Sequence, residues 1–269
     1  MMKDWLLIAP TLCALAFAGL LPQRGVAQEF TGANLVQVDV LPGWREADGS
    51  HFAGIRIRMQ PGWKTYWRTP GDGGIPPLFD LAASGNLAGF TPRLPAPVVF
   101  DVDGLRSIGY VDEVVFPLQL QTVQGDAPIQ LDGALHFGVC EEVCVPVEVR
   151  LKAELTAPGQ SSAMIAAALA QEPKLHAGAI SCVFTPTEDG LRLRAAIAEP
   201  ARPGEVAVIE LADPTLWVSH AETHREGGQL IADVKIYAAH DGPVPIDRSG
   251  VRMTVLAEGT AYERRGCGG

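Results

Sequence analysis

Apolar and polar residues alternate singly along most of this chain, and that spacing restricts it to half-buried β-strands. Val36, Val38 and Val40 interleave with Gln37 and Asp39; Ile55, Ile57 and Met59 with Arg56 and Arg58; Leu118 and Leu120 with Gln119 and Gln121. Successive side chains of a strand point to opposite faces, so each run has one dry face and one wet one. The pattern returns at Leu191, Leu193, Ala195 and Ile197 against Arg192 and Arg194, and again in Leu230 to Tyr237. With 29 glycines and 21 prolines punctuating the gaps, short strands joined by turns dominate and the fold class is all-β.

One segment breaks the alternation. Ser161 and Ser162 precede Ala-Met-Ile-Ala-Ala-Ala-Leu-Ala, and Pro173 follows. Serine caps a helix start, alanine and leucine favour the helix, and proline stops it, so Ser161 to Gln171 is predicted helical. Pro158-Gly159-Gln160 marks a break just before it. The expected organisation is a first domain at 28–157, a linker with the short helix at 158–175 and a second domain at 176–269. Each domain is long enough for an immunoglobulin-like β-sandwich of roughly six to eight strands. A single continuous β structure carrying a surface helix is the alternative.

The N-terminal segment is expected to be removed. Lys3 is followed by an apolar run from Trp5 to Leu21, and the small residues Gly25-Val26-Ala27 close it, which reads as a signal peptide (1–27) cleaved near Ala27. The rival reading, a retained membrane anchor, is opposed by the shortness of the run and by Pro10 and Pro22. Cys13 lies in that run and would be discarded with it. No later apolar stretch approaches the ~20 residues of a membrane helix. Net charge is −10 and the basic residues are scattered, which argues against nucleic acid and anionic membrane surfaces as partners.

Four cysteines remain in the exported chain, Cys140, Cys144, Cys182 and Cys267, and four allow three pairings. Spacing favours a structural Cys182–Cys267 disulfide, since closing a loop of that length is worth roughly 4.5 kcal/mol in lost chain entropy. Free or intermolecular thiols are the alternative there. A Cys140–Cys144 bond closes a ring worth only roughly 2 kcal/mol, against about 3 for a fifteen-residue loop, so it makes a weak staple.

Strand parity adds to that contrast. Leu135, Phe137 and Val139 share one face and His136, Gly138 and Cys140 the other; Val145, Val147, Val149 and Leu151 oppose Cys144, Pro146, Glu148 and Arg150. Both cysteines are therefore expected off the core face and exposed. A three-residue loop of Glu141, Glu142 and Val143 sets them opposite each other at its base. Cross-strand Cβ atoms lie about 4.5–5.5 Å apart, more than the ~3.8 Å of a relaxed disulfide, so the bond is expected to be strained and reducible. Glu141 and Glu142 disfavour a thiolate, which predicts an ordinary or raised thiol pKa. His136, sharing a face with Cys140, is a candidate for proton transfer; its plain reading is a solvated strand residue. Asp112 and Glu113 point to opposite faces and are not expected to act as a dyad.

The chain resembles a known family in three separated segments: Cys140-Glu-Glu-Val-Cys144-Val145-Pro146, Trp63-Lys-Thr-Tyr66-Trp67-Arg-Thr-Pro70-Gly71-Asp72-Gly73-Gly74-Ile-Pro76-Pro77, and Tyr110-Val-Asp112-Glu113-Val-Val-Phe116-Pro117. It is similar there to the periplasmic N-terminal domain of the DsbD-type protein-disulfide reductases, nearest the ScsB subgroup named for suppression of copper sensitivity. The resemblance implies an immunoglobulin-like periplasmic domain in which Cys140 and Cys144 are redox-active. It implies electrons taken from a membrane-embedded donor and passed to thioredoxin-like or disulfide-bearing periplasmic proteins, with no cofactor. It also implies a cap loop over the cysteines, sought at Asp103 to Tyr110. Full-length members continue into membrane and thioredoxin-like domains; the chain stops at Gly269, so the donor is expected in trans.

Residue by residue, the Trp63 to Pro77 segment reads as aromatic packing followed by a turn, with a substrate platform as the alternative. Two other functions compete with exchange. One is copper or zinc binding by Cys140, Cys144 and His136, since thiolates suit Cu(I), although Met59, Met164 and Met253 are too scattered for a methionine-rich site and no metal centre is assigned. The other is a non-catalytic β-sandwich binding module in which Cys140–Cys144 is a surface disulfide.

Overall fold

A computed structural model describes residues 35–71, 73–102, 104–238, 245–258 and 260–268. The expected signal peptide at 1–27 lies outside the described residues. The alternating segments form strands, and the strands form two β-rich bodies. In the first, one antiparallel sheet runs β1 (Val36–Arg45), β2 (His51–Met59), β8 (Glu113–Thr122), β5 (Leu87–Pro92). The facing sheet runs β10 (Cys144–Leu155), β9 (Ile129–Cys140), β3 (Lys64–Gly71), β7 (Leu105–Val111), β6 (Val98–Val102), and β4 (Leu78–Asp80) also pairs with β9. Ile55, Ile57, Phe116 and Leu118 of one sheet meet Trp67, Leu135, Phe137 and Val139 of the other in one core, all fully buried. Period-two alternation produces this directly: the dry face of each strand turns toward the opposite sheet.

The second body repeats the plan. One sheet runs β11 (Lys174–Leu175), β19 (Thr260–Arg265), β18 (Arg252–Ala257), β14 (Val206–Glu210); the other runs β15 (Leu216–Val218), β17 (Gln229–Ala238), β13 (Gly190–Ala198), β12 (Ile180–Thr187), β20 (Cys267–Gly268), with β16 (Glu222–Glu226) also on β17. Leu193, Ala195, Ile197, Val234 and Ile236 face Ile209, Met253 and Val255 in its core. The two edge pairings β11 with β19 and β12 with β20 are parallel.

Helix α1 (Ala163–Ala170) forms where serine capping and proline termination foretold it. The Ser162 hydroxyl accepts the Ile165 N–H at 3.5 Å. Rather than standing free between the bodies, α1 lies on the outer face of the first one, with Ile165 and Ala168 packed against Leu41, Trp44, Phe52 and Val115. The two bodies also touch directly. Val208, Leu256 and Ala261 of the second join the core cluster of the first. Arg68, stacked on Trp67 at 3.9 Å, reaches across to Glu210 (2.8 and 2.9 Å) and Glu263 (2.7 Å). No helix among the described residues is long and apolar enough to cross a membrane.

Candidate functional site

The β9–β10 ladder is continuous from Ile129↔Leu155 to Cys140↔Cys144, leaving Glu141, Glu142 and Val143 as the loop. A ladder that ends in a directly opposed pair brings the two sulfurs together with no further rearrangement. Cys140 and Cys144 are disulfide-bonded, their Cα atoms 4.2 Å apart.

The two sulfurs are not equivalent, and here the structure corrects the expectation that both are exposed. Cys144 is exposed, whereas Cys140 is buried at 5 % exposure. Parity does place Cys140 off the inter-sheet core, but that outer face is itself covered. Strand β3 pairs with β9 only at Lys64↔Cys140 and Thr65↔Val139, and then its chain leaves β9. It continues as far as Gly71 against β7 and pairs with β9 again as β4 at Leu78↔His136. Between these pairings Ile75 lies beside β9, where the Gly138 N–H donates to its carbonyl at 3.0 Å. A Cβ on Gly138 would lie 2.8 Å from Ile75 Cβ, so glycine is what lets the segment lie flat. Residues of 73–77 thus lie against this face, Ile75 at Gly138 and the Gly73 carbonyl near Cys144 Sγ. Of the stretch expected to hold a cap loop, Asp103 lies outside the described residues and Leu105–Val111 is strand β7, paired with β3 and with β6, whose Phe100 packs on Tyr66.

Tyr66 is the side chain that sequence reasoning missed. Its hydroxyl lies 3.3 Å from Cys144 Sγ, and the Gly73 carbonyl oxygen lies 3.7 Å from the same sulfur. Tyr66 is buried, packed against Phe100 (6.5 Å between ring centres), and burial pushes its phenol pKa above the ordinary value. The available signal was parity on β3: Lys64, Tyr66 and Arg68 alternate with Thr65 and Trp67, which sends Tyr66 to the disulfide face and Trp67 to the core. The packing expectation holds for Trp67, which is fully buried.

His136 does not join the site. It sits four ladder rungs from Cys140, about 13 Å along the strand, with Nδ1 3.6 Å from Glu148 Oε2. That separation rules out direct proton transfer with the sulfurs and corrects the expectation. Asp112 and Glu113 have separate structural partners: Asp112 Oδ1 accepts the Gly62 N–H at 2.7 Å, and Glu113 pairs with Arg56 at 2.6 Å. Lys64, opposite Cys140, bonds to the Gly62 carbonyl and lies over the Phe100 ring. In the second body, Cys182 and Cys267 are disulfide-bonded where β12 and β20 run side by side. Among the described residues, no three His, Cys, Asp or Glu side chains are grouped to hold a metal ion.

Three comparisons bear on this geometry. Residues 36–156 match the family described as "Thiol:disulfide interchange protein DsbD, N-terminal". The fold is similar to the crystal structure of the N-terminal periplasmic domain of ScsB from Proteus mirabilis. That likeness has a TM-score of 0.63 at 24% identity and covers 88% of this chain and 95% of that one. No curated protein matches the chain in sequence.

Proposed function

We propose that the chain is a periplasmic thiol:disulfide interchange protein of the DsbD N-terminal kind, a reading supported by the match of residues 36–156 to that family's model. In this reading Cys140 and Cys144 take reducing equivalents from a membrane-embedded donor and pass them to oxidised thioredoxin-like or other disulfide-bearing proteins. The exchange domain spans 28–157, followed by the linker at 158–175 and a second β-sandwich at 176–269. The observation that carries the reading is the asymmetry of the pair: an exposed Cys144 joined to a buried Cys140 at the base of a hairpin. The periplasmic assignment is supported by the structural neighbour, itself a periplasmic domain, and by the expected signal peptide.

Exchange proceeds by thiolate attack in line with a disulfide, so the accessible sulfur meets the partner. Reduced Cys144 attacks one sulfur of the oxidised partner; a mixed disulfide forms and the partner's other sulfur leaves as a thiolate and is protonated. Cys140, deprotonated, then attacks Cys144 Sγ, which expels the partner's remaining thiolate and restores Cys140–Cys144. Two electrons have passed to the partner. Recharging runs the same steps backward, with a donor thiolate attacking Cys144.

Replacing Cys140 with serine removes the resolving thiol. The Cys140→Ser protein is expected to accumulate mixed disulfides through Cys144 when expressed in a periplasm, and Cys144→Ser to accumulate few. Mass spectrometry of the captured species checks this; a Cys140→Ser protein that captures nothing would sink the exchange reading.

A further inference from the structure

Resting on that exchange chemistry, we infer that Tyr66 is a catalytic residue of the site: its phenol donates the hydrogen bond that stabilises the Cys144 thiolate whenever exchange generates it. The donor is fixed by chemistry. A disulfide sulfur carries no proton, so across the 3.3 Å contact with Cys144 Sγ it is the Tyr66 O–H that donates. Burial keeps the phenol protonated beyond the ordinary tyrosine range, so the donor is present throughout neutral pH.

The surroundings of Cys144 make that one donor matter. Glu141 and Glu142 in the adjoining loop oppose a negative sulfur, as does the Gly73 carbonyl oxygen at 3.7 Å. Lys64 is engaged by the Gly62 carbonyl and the Phe100 ring. Helix α1 lies on the other sheet, so among the described residues no α-helix N-terminus supplies the positive field that lowers thiol pKa values elsewhere. The ring is also held for the task. A Cβ on Gly74 would come within 2.3 Å of the Tyr66 ring, so glycine is the residue that allows this close approach.

The bond acts at two steps. It stabilises the Cys144 thiolate that attacks an oxidised partner. During recharging it receives the Cys144 thiolate expelled when the donor's second thiolate attacks the mixed disulfide and forms the donor's own S–S bond. The Gly73 oxygen can accept the thiol proton of the resting reduced state, so the same two neighbours serve both forms of the sulfur.

The test compares wild type with Tyr66→Phe, which keeps the ring and its packing. In the reduced proteins the pH dependence of Cys144 alkylation by iodoacetamide, read on its own peptide, gives the thiol titration. Loss of a hydrogen bond to a charged group is expected to raise the inflection by about one unit. Thiolate nucleophilicity rises with thiol pKa by a Brønsted slope of about 0.4–0.5. Exchange with oxidised glutathione should therefore be about threefold slower below the inflection and about threefold faster above it. Crossing profiles are the signature of a hydrogen bond to the reacting sulfur. An unshifted inflection, or a uniform slowing at every pH, would overturn the role of Tyr66 while leaving exchange itself intact. A shifted inflection with no exchange by either protein would overturn the exchange function and the catalytic role with it.

Discussion

His51 shows how one residue sets acid sensitivity away from the site. Fully buried on β2, it has its Nε2 2.6 Å from the Pro42 carbonyl and its Nδ1 3.3 Å from Arg45 Nε, which fits a neutral ring donating to the first and accepting from the second. Burial lowers its pKa, and the Arg45 charge adds to that against the opposing Pro42 bond. The unfolded ring, with a pKa near 6.5, takes up a proton that the folded ring resists. The contribution to stability is therefore complete above about pH 6.5 and is lost as pH falls below it. Urea midpoints between pH 7.5 and 5 should fall for wild type and fall less for His51→Gln, which can still donate to Pro42. Equal slopes for the two proteins would refute this. At this scale the sequence exposed the cysteines through their spacing, but not the burial of Cys140 or the reach of Tyr66. Parity on β3 gives the face of Tyr66, but its contact with Cys144 joins positions 78 apart, which no local pattern encodes.

Among elements, β3 carries the most. In three consecutive residues it sends Tyr66 to the disulfide, Trp67 into the first core and Arg68 across to the second body. Arg68 is pulled down in pKa by burial but raised overall by Glu210 and Glu263, which hold its charge in place. Breaking a buried ion pair typically costs about 3–5 kcal/mol and a surface pair under about 1. Arg68 and its partners are partly exposed, so Arg68→Ala should cost about 1–3 kcal/mol in urea unfolding. A change below a few tenths of a kcal/mol would mean that the contact contributes nothing. The hairpin and the helix were legible because their signals are local: alternation on both sides of Glu141-Glu142-Val143, and a serine cap before an alanine run. The helix's docking face was not, because Ile165 finds its pocket on β1, β2 and β8, far away in sequence.

Across the whole molecule, two β-rich bodies and a linking helix follow from the distribution of alternating runs, and both cores form from the residues the alternation marks. The contact between bodies could not be read, since Val208, Leu256 and Ala261 carry the same pattern whether they face their own sheet or a neighbour. The two disulfides differ in setting as well as span. Cys182–Cys267 links positions 85 apart, with Cys182 buried; Cys140–Cys144 links positions 4 apart, with Cys144 exposed. A loop of the first length is worth roughly 4.5 kcal/mol in chain entropy, as a staple would be, whereas the proposed exchange requires the second to open to an incoming thiolate. The most direct test equilibrates the folded protein in glutathione buffers of graded potential and reads each disulfide by differential alkylation and mass spectrometry. Cys140–Cys144 should open reversibly while the fold and Cys182–Cys267 stay intact, with the glutathione adduct on Cys144. If Cys140–Cys144 instead stays closed until the protein unfolds, it is a structural bond and the account is wrong.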